Sequence, residues 1–266
     1  MYRHKERQYQ VIIAILTFLV LLESIFILSL LRPKAKKIPP VSLAPVIIKG
    51  KIAIVIDDWG YNLHNLSAVE RIKYPITASI LPNINYSKRA AQELHQKGLE
   101  IILHLPMEPH EKYRLEENTI MTSMDETTIR GILEKDLADI SYAKGVSNHM
   151  GSFATEDPRT VEIIFKELKK RKLYFLDSVV SSYSVASSLA KKLGVAFIQR
   201  SVFLDNEDDP VYIRSQIYKL KTKAKLHGSA VGIGHDRKVT LEVLNTVMPE
   251  LEKEGYRFVF VSDLVK

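Results

Sequence analysis

Lys51-Ile52-Ala53-Ile54-Val55-Ile56-Asp57-Asp58-Trp59-Gly60 (51–60) is an apolar run that stops at two carboxylates and a turn. The same punctuation recurs downstream, each time with histidine. Ile101-Ile102-Leu103 ends in His104, Val146-Ser147-Asn148 in His149, and Val231-Gly232-Ile233-Gly234 in His235. If these runs are neighbouring parallel strands, four polar clusters converge on one rim of one sheet. Strand ends on that rim hold side chains still while the loops beyond them vary, which is where α/β and barrel enzymes build their sites.

Working outward, the chain from Lys51 alternates β-like apolar runs with helical patterns. The strand candidates are 51–56, 76–81, 99–105, 145–149, 173–177, 195–204, 229–234 and 257–261. Ser123 with Glu126 reads as a capping box ahead of Ile129, Ile132 and Leu133. Asp157-Pro158 gives an N-cap and a first-turn proline ahead of Val161, Ile164, Phe165 and Leu168. Residues 211–226 and 240–254 have helical periodicity and end near Gly228 and Gly255. Eight strands alternating with helices predict an α/β fold, a distorted (β/α) barrel of seven or eight strands, with a doubly wound open sheet as the rival.

The 266 residues, 46% hydrophobic and 26% charged, suffice for one large core or two small ones. The net charge of +7 is unevenly placed. Residues 1–37 hold seven Lys/Arg against Glu6 and Glu23, whereas the remaining 229 residues hold 31 basic and 29 acidic side chains. The body is nearly neutral, which argues against a nucleic-acid groove. There is no cysteine, so disulfides, thiolate chemistry and a lipoprotein anchor are excluded.

Residues 8–31 carry one charge, Glu23, among Ile, Leu, Val and Phe. That is close to the roughly 20 apolar residues needed to cross a bilayer, and longer than the about 7–15 of a cleaved signal peptide. The expectation is an uncleaved signal anchor over 8–31, after a cytoplasmic tail at 1–7. Basic residues flank both ends, and a short tail before a single span favours the N-terminus inside. Residues 32–49, with Pro33, Pro39, Pro40 and Pro45, read as a semi-extended spacer leading into a domain at 50–266.

Each polar punctuation has a plain reading beside a chemical one. Asp57 and Asp58 point opposite ways if the strand runs through them, but both reach the rim at a strand end. They form a solvated acidic turn or a ligand and base. His104 is a core histidine or a ligand, and Glu108 a loop carboxylate or a further ligand. His149, in the compact Asn148-His149-Met150-Gly151-Ser152 turn, and His235, before Asp236-Arg237, are caps or site residues. Histidines 4, 64, 95, 110 and 227 fall in polar surroundings. Taken together, two carboxylates and three imidazoles on one rim have the composition of a mononuclear metal hydrolase.

Val55-Ile56-Asp57-Asp58-Trp59-Gly60 resembles the Asp-Asp motif that opens polysaccharide deacetylases of the NodB homology class. Joined with Leu103-His104-Leu105-Pro106-Met107-Glu108-Pro109, Asn148-His149-Met150-Gly151-Ser152 and Gly232-Ile233-Gly234-His235-Asp236, it is more closely similar to the divergent polysaccharide deacetylase family, over roughly 50–266. The resemblance implies Asp57 as general base, Asp58 as metal ligand and His235 as general acid. It makes His104 the first histidine of a His-x-x-x-His pair whose second position here is Glu108. The third ligand is then His149 or Glu108, and a neutral imidazole on a compact turn favours His149. Asn148, Asp177, Arg200, Asp205 and Glu108 are left to orient these groups or touch substrate. The implied cofactor is a divalent metal ion, zinc. The implied partners are an acetylated cell-envelope glycan and, through the N-terminal helix, the bacterial cytoplasmic membrane, with the body outside it. The alternatives are a non-catalytic glycan- or partner-binding module and a hydrolase of another amide or ester.

Overall fold

The structure, a computed structural model, describes residues 2–31 and 48–265. It divides into two compact units, Met1–Pro45 and Val46–Lys266. In the first, α1 (Tyr2–Leu31) is one continuous helix. Over Lys5–Leu31 it is long and apolar enough to cross a membrane, a composition that a signal sequence shares. Its hydroxyls bond back to the helix, Thr17 to the Ile13 carbonyl at 2.8 Å and Ser24 to that of Val20 at 2.7 Å. No polar group on them then needs water. Most of the spacer expected at 32–49 lies outside the described residues.

The second unit alternates strand and helix: β1 (Gly50–Trp59), α2 (Leu66–Val69), β2 (Thr77–Ile80), α3 (Ser87–Gln96), β3 (Glu100–Met107), α4 (Glu126–Asp139), β4 (Gly145–Met150), α5 (Pro158–Arg171), β5 (Tyr174–Asp177), α6 (Ala186–Leu193), β6 (Phe197–Gln199), β7 (Val202–Phe203), α7 (Pro210–His227), β8 (Ser229–His235), α8 (Lys238–Lys253) and β9 (Tyr256–Val259). The strands run β6-β5-β4-β3-β2-β1-β8-β7, with β9 also beside β1, and every pairing among them is parallel.

The strand expected at 195–204 is two short ones, because the segment changes partners. Phe197–Gln199 pairs with β5 and Val202–Phe203 with β8. Between them the Arg200 N–H donates to the Asp177 carbonyl at 2.9 Å and that of Ser201 to Val231 at 2.8 Å. One stretch thus bridges the two ends of the sheet and curls it into a distorted barrel, which a doubly wound sheet would not do. On the other edge of β1, β9 pairs with Gly50–Ala53 and β2 with Val55, Ile56 and Trp59.

Period-two alternation builds two cores. Ile52, Ile54, Ile56, Ile101 and Leu103 pack outward against the helices with Leu133, Phe165, Leu220 and Leu244. Ala53, Val55, Ile102, Leu176, Val231 and Ile233 fill the barrel interior. The helix starts follow local chemistry. Asp157 caps α5 through the Thr160 N–H (2.7 Å), with Pro158 in the first turn as expected. The capping box expected at Ser123 is not the cap of α4. Asp125 accepts from the Thr128 N–H at 2.7 Å, two residues later, where an anionic oxygen meets the helix dipole.

Candidate metal and catalytic site

The columns that fill the barrel interior also deliver the rim. Ala53 and Val55 continue to Asp57, Ile102 to His104, and Val231 and Ile233 to His235, each in steps of two. Asp57 pairs in register with His235 across β1 and β8, and Pro106 with His149 across β3 and β4. Asp57 and His104 are buried, 2% and 3% exposed, at the top of the packed interior.

Asp58 is the extra residue of a β-bulge. The outward column Ile52, Ile54, Ile56 resumes at Trp59 and not at position 58, and the register with β2 shifts there. Asp58 has φ +65°, a left-handed conformation that aspartate tolerates better than most residues. This local twist frees Asp58 from strict alternation, so both carboxylates of the pair reach the site. Two other rim residues, Met150 (φ +52°) and Val179 (φ +50°), are held in the same region, and such strain clusters at functional sites.

Asp58, His104 and His149 offer ligand atoms that all lie within 4.8 Å of one another. Asp58 Oδ1 is 3.3 Å from His104 Nε2 and 3.2 Å from His149 Nδ1. It is buried and makes no hydrogen bond. A carboxylate oxygen left unpartnered between two imidazole nitrogens suits a divalent cation, and the donor set suits zinc chemistry. The far side of His104 is fixed by Ser147, whose Oγ lies 2.8 Å from Nδ1 and 2.7 Å from Ser79 Oγ. With Nδ1 carrying the proton, Nε2 turns a lone pair to the site. Burial pushes the Asp58 pKa up, but the two imidazoles hold it well below the ordinary range. Burial opposes a proton on His149, yet Asp58 and Glu116 on its two sides raise its pKa to about 9.

Beside this group stand a carboxylate and an imidazole in contrasting environments. Asp57 Oδ2 is 3.6 Å from His104 Nε2, and its Oδ1 is buried without a partner. Burial raises its pKa, against the pull of His104. His235 Nδ1 lies 2.8 Å from Asp205 Oδ1. Asp205 Oδ2 also accepts from the His235 backbone N–H (2.8 Å) and from Thr240 Oγ1 (2.7 Å). Burial alone would lower the His235 pKa, but Asp205 raises it.

The remaining candidates from the sequence build the scaffold of the rim. Asn148 Oδ1 accepts from the Ser178 N–H at 2.8 Å, tying β4 to the turn after β5. Asp177 accepts from the Val179 N–H (2.7 Å) and Arg200 donates to the Val179 carbonyl (2.9 Å), so the two pin that strained residue. The Arg200 guanidinium also stacks on Phe203 at 3.7 Å, whose ring lies parallel to His235. Glu108 is not part of the Asp58, His104, His149 group. Its carboxylate accepts from the Thr122 N–H and hydroxyl. Glu116 went unread in the sequence, as did its partner Tyr61. Glu116 Oε1 accepts from Tyr61 OH at 2.6 Å and lies 3.5 Å from His149 Nε2. Its pKa falls to about 2 beside His149, against burial. It sits in an aperiodic polar stretch that gives no signal.

Residues 54–265 match the family model described as divergent polysaccharide deacetylase. An Escherichia coli K12 protein, uncharacterized protein YibQ, is 35% identical over 210 residues, covering 79% of this chain and 66% of that one. The chain thus spans about two thirds of that relative. A crystal structure of an uncharacterised Agrobacterium tumefaciens C58 protein superposes with TM-score 0.78 at 24% identity, covering 81% of this chain and 89% of the other. A peptidoglycan N-acetylglucosamine deacetylase shares the fold with TM-score 0.51 at 14% identity, covering 82% and 89%.

Proposed function

The chain belongs to the divergent polysaccharide deacetylase family, and from that premise we propose that it removes N-acetyl groups from a cell-envelope glycan by metal-assisted hydrolysis. The observation that carries this reading is the placement of Asp58, His104 and His149 in one ligand group beside the register pair Asp57 and His235. A divalent ion, zinc by its donor set, would be held by those three side chains, where it would acidify water and polarise the amide carbonyl.

The other steps belong to the chain itself. Asp57, with one oxygen unpartnered and a pKa raised by burial, takes the proton from the attacking water. His235, kept protonated by Asp205, gives a proton from its free Nε2 to the departing amine. Asp205 fixes the imidazole's orientation, while Arg200, Asp177 and Asn148 keep the turn after β5 in place. Residues 8–31 anchor the protein in the cytoplasmic membrane, the 1–7 tail inside and the 50–266 domain outside, joined by the 32–49 spacer. Protease added outside spheroplasts should then degrade the body, and protection of it would overturn this topology.

Acetate release decides the catalytic reading. Zinc-loaded protein given N-acetylated glycan oligomers should release acetate, and Asp57→Asn should abolish at least about 99% of the rate. Binding of zinc and glycan with no acetate released would instead make the chain a recognition module.

A further inference from the structure

Glu108 occupies the place where the family resemblance puts a second histidine, and the structure gives it different work. Its Oε2 accepts from the Thr122 N–H at 2.6 Å and the Thr122 hydroxyl at 2.8 Å. The Glu108 N–H donates to the Ile120 carbonyl and the Ile120 N–H to that of Pro106, both at 2.9 Å. Residues 109–121 are therefore a loop fastened at both feet to the rim end of β3. Within it, Thr119 braces Glu116 by donating its N–H and hydroxyl to the Glu116 carbonyl, at 3.1 and 2.7 Å.

The Glu116 side chain folds back over the site instead of into solvent, and only 13% of it is exposed. Its Oε1 takes the Tyr61 hydroxyl at 2.6 Å and faces His149 Nε2 at 3.5 Å. His149 presents its other nitrogen, Nδ1, to Asp58. Both His149 Nε2 and Glu116 Oε2 are buried without a hydrogen bond. The unpartnered outer nitrogen of the imidazole therefore faces this carboxylate across 3.5 Å.

We infer that Glu116 is a positioning residue for His149, brought to it by a loop that Glu108 fastens shut. This rests on His149 being a metal ligand. A ligating imidazole that gives its outer N–H to a carboxylate is held in orientation and made a stronger donor, and loss of such a partner weakens metal binding about 10–100-fold. Loop closure supplies the second half of the inference. Without the Glu108–Thr122 tie the foot keeps only its backbone bonds, so residues 109–121 gain conformational freedom and Glu116 spends less time at His149. Position 108 thus acts on the site from a distance, through Glu116.

The test measures Zn²⁺ affinity by chelator competition on the full chain in detergent. Glu116→Gln should weaken binding about 10–100-fold, and Glu108→Ala should weaken it in the same direction by a smaller factor. The double variant should be no weaker than the worse single one, because both remove one interaction. In zinc-loaded protein with ¹⁵N-labelled histidine, the His149 outer N–H resonance should move in Glu116→Gln while that of His104 stays. An affinity for Glu116→Gln within twofold of wild type, or losses that multiply in the double variant, would overturn the inference. If Glu116→Gln does not fold, Tyr61→Phe decides, since it removes only the 2.6 Å bond: weakened binding supports the inference and unchanged binding overturns it. Zinc lost on Asp58→Ala but indifferent to Glu116 would refute this inference alone. Wild-type protein that takes up no zinc would refute it together with the metal site.

Discussion

Replacing Asp205 with asparagine isolates the coupling on which the proposed acid depends. Asp205 is fully buried and its carboxylate accepts three hydrogen bonds, from the His235 ring, the His235 backbone and Thr240. Burial works against charge on both partners, yet the His235 pKa is raised and that of Asp205 lowered, each by the other. The Asp205→Asn side chain keeps the shape of the carboxylate and removes its charge. An opposite charge in contact favours the protonated imidazole, so His235 should titrate lower in Asp205→Asn, and the charge-assisted hydrogen bond that is lost contributes about 1.5–3 kcal/mol. The signs set the window. A raised histidine contributes fully below its unfolded pKa, about 6.5, and loses that contribution as pH rises through the folded value. A lowered aspartate contributes fully above about 3.9 and loses it as pH falls through the folded value. The stability gap between wild type and Asp205→Asn should therefore be widest between about pH 4 and 6.5, and narrow on either side. Histidine NMR titration measures the first effect and denaturant unfolding across pH the second. Equal His235 pKa values in the two proteins would show that Asp205 does not hold the proton on the imidazole.

Other perturbations test the scaffold. Asp136 is buried on α4, with one oxygen bonded to Asn83 at 2.6 Å and the other unpartnered, and burial lifts its pKa to about 7. A raised acid stabilises the fold at low pH and loses that contribution as pH rises through about 7. Asp136→Asn should therefore gain about 2–4 kcal/mol over wild type at about pH 8, and little at about pH 4, in urea unfolding; a gain independent of pH would contradict the assignment. Gly151 follows His149 with φ +87°, and a Cβ there would sit 2.8 Å from that of Met107. Gly151→Ala should destabilise by more than about 1 kcal/mol, seen as a lower Tm, and an unchanged Tm would show that the turn relaxes.

The eight apolar runs were readable because strands covered on both faces are apolar throughout, and the polar residues that end four of them mark the rim. The period-two step that fills the barrel also carries Asp57, His104 and His235 to the site, so their convergence follows from register. What stayed hidden depends on partners far along the chain. The 195–204 run divides only because its first half finds β5 and its second finds β8. The bulge at Asp58 is a matter of backbone twist, and Ser123 lost the cap to Asp125 by a competition that residue types alone do not settle. Glu116 reaches His149 through a loop fastened by Glu108 and Thr122, a tie between two side chains with no periodic signature.

The proposed chemistry stands or falls on a metal ion held by Asp58, His104 and His149. The metal content of the full chain, purified in detergent, equilibrated with zinc and measured by mass spectrometry, addresses it without recourse to activity. Wild type should carry about one equivalent of zinc and Asp58→Ala almost none, because that oxygen faces both imidazoles. Folded wild-type protein without stoichiometric zinc, or an Asp58→Ala variant that retains it, would contradict the metal site.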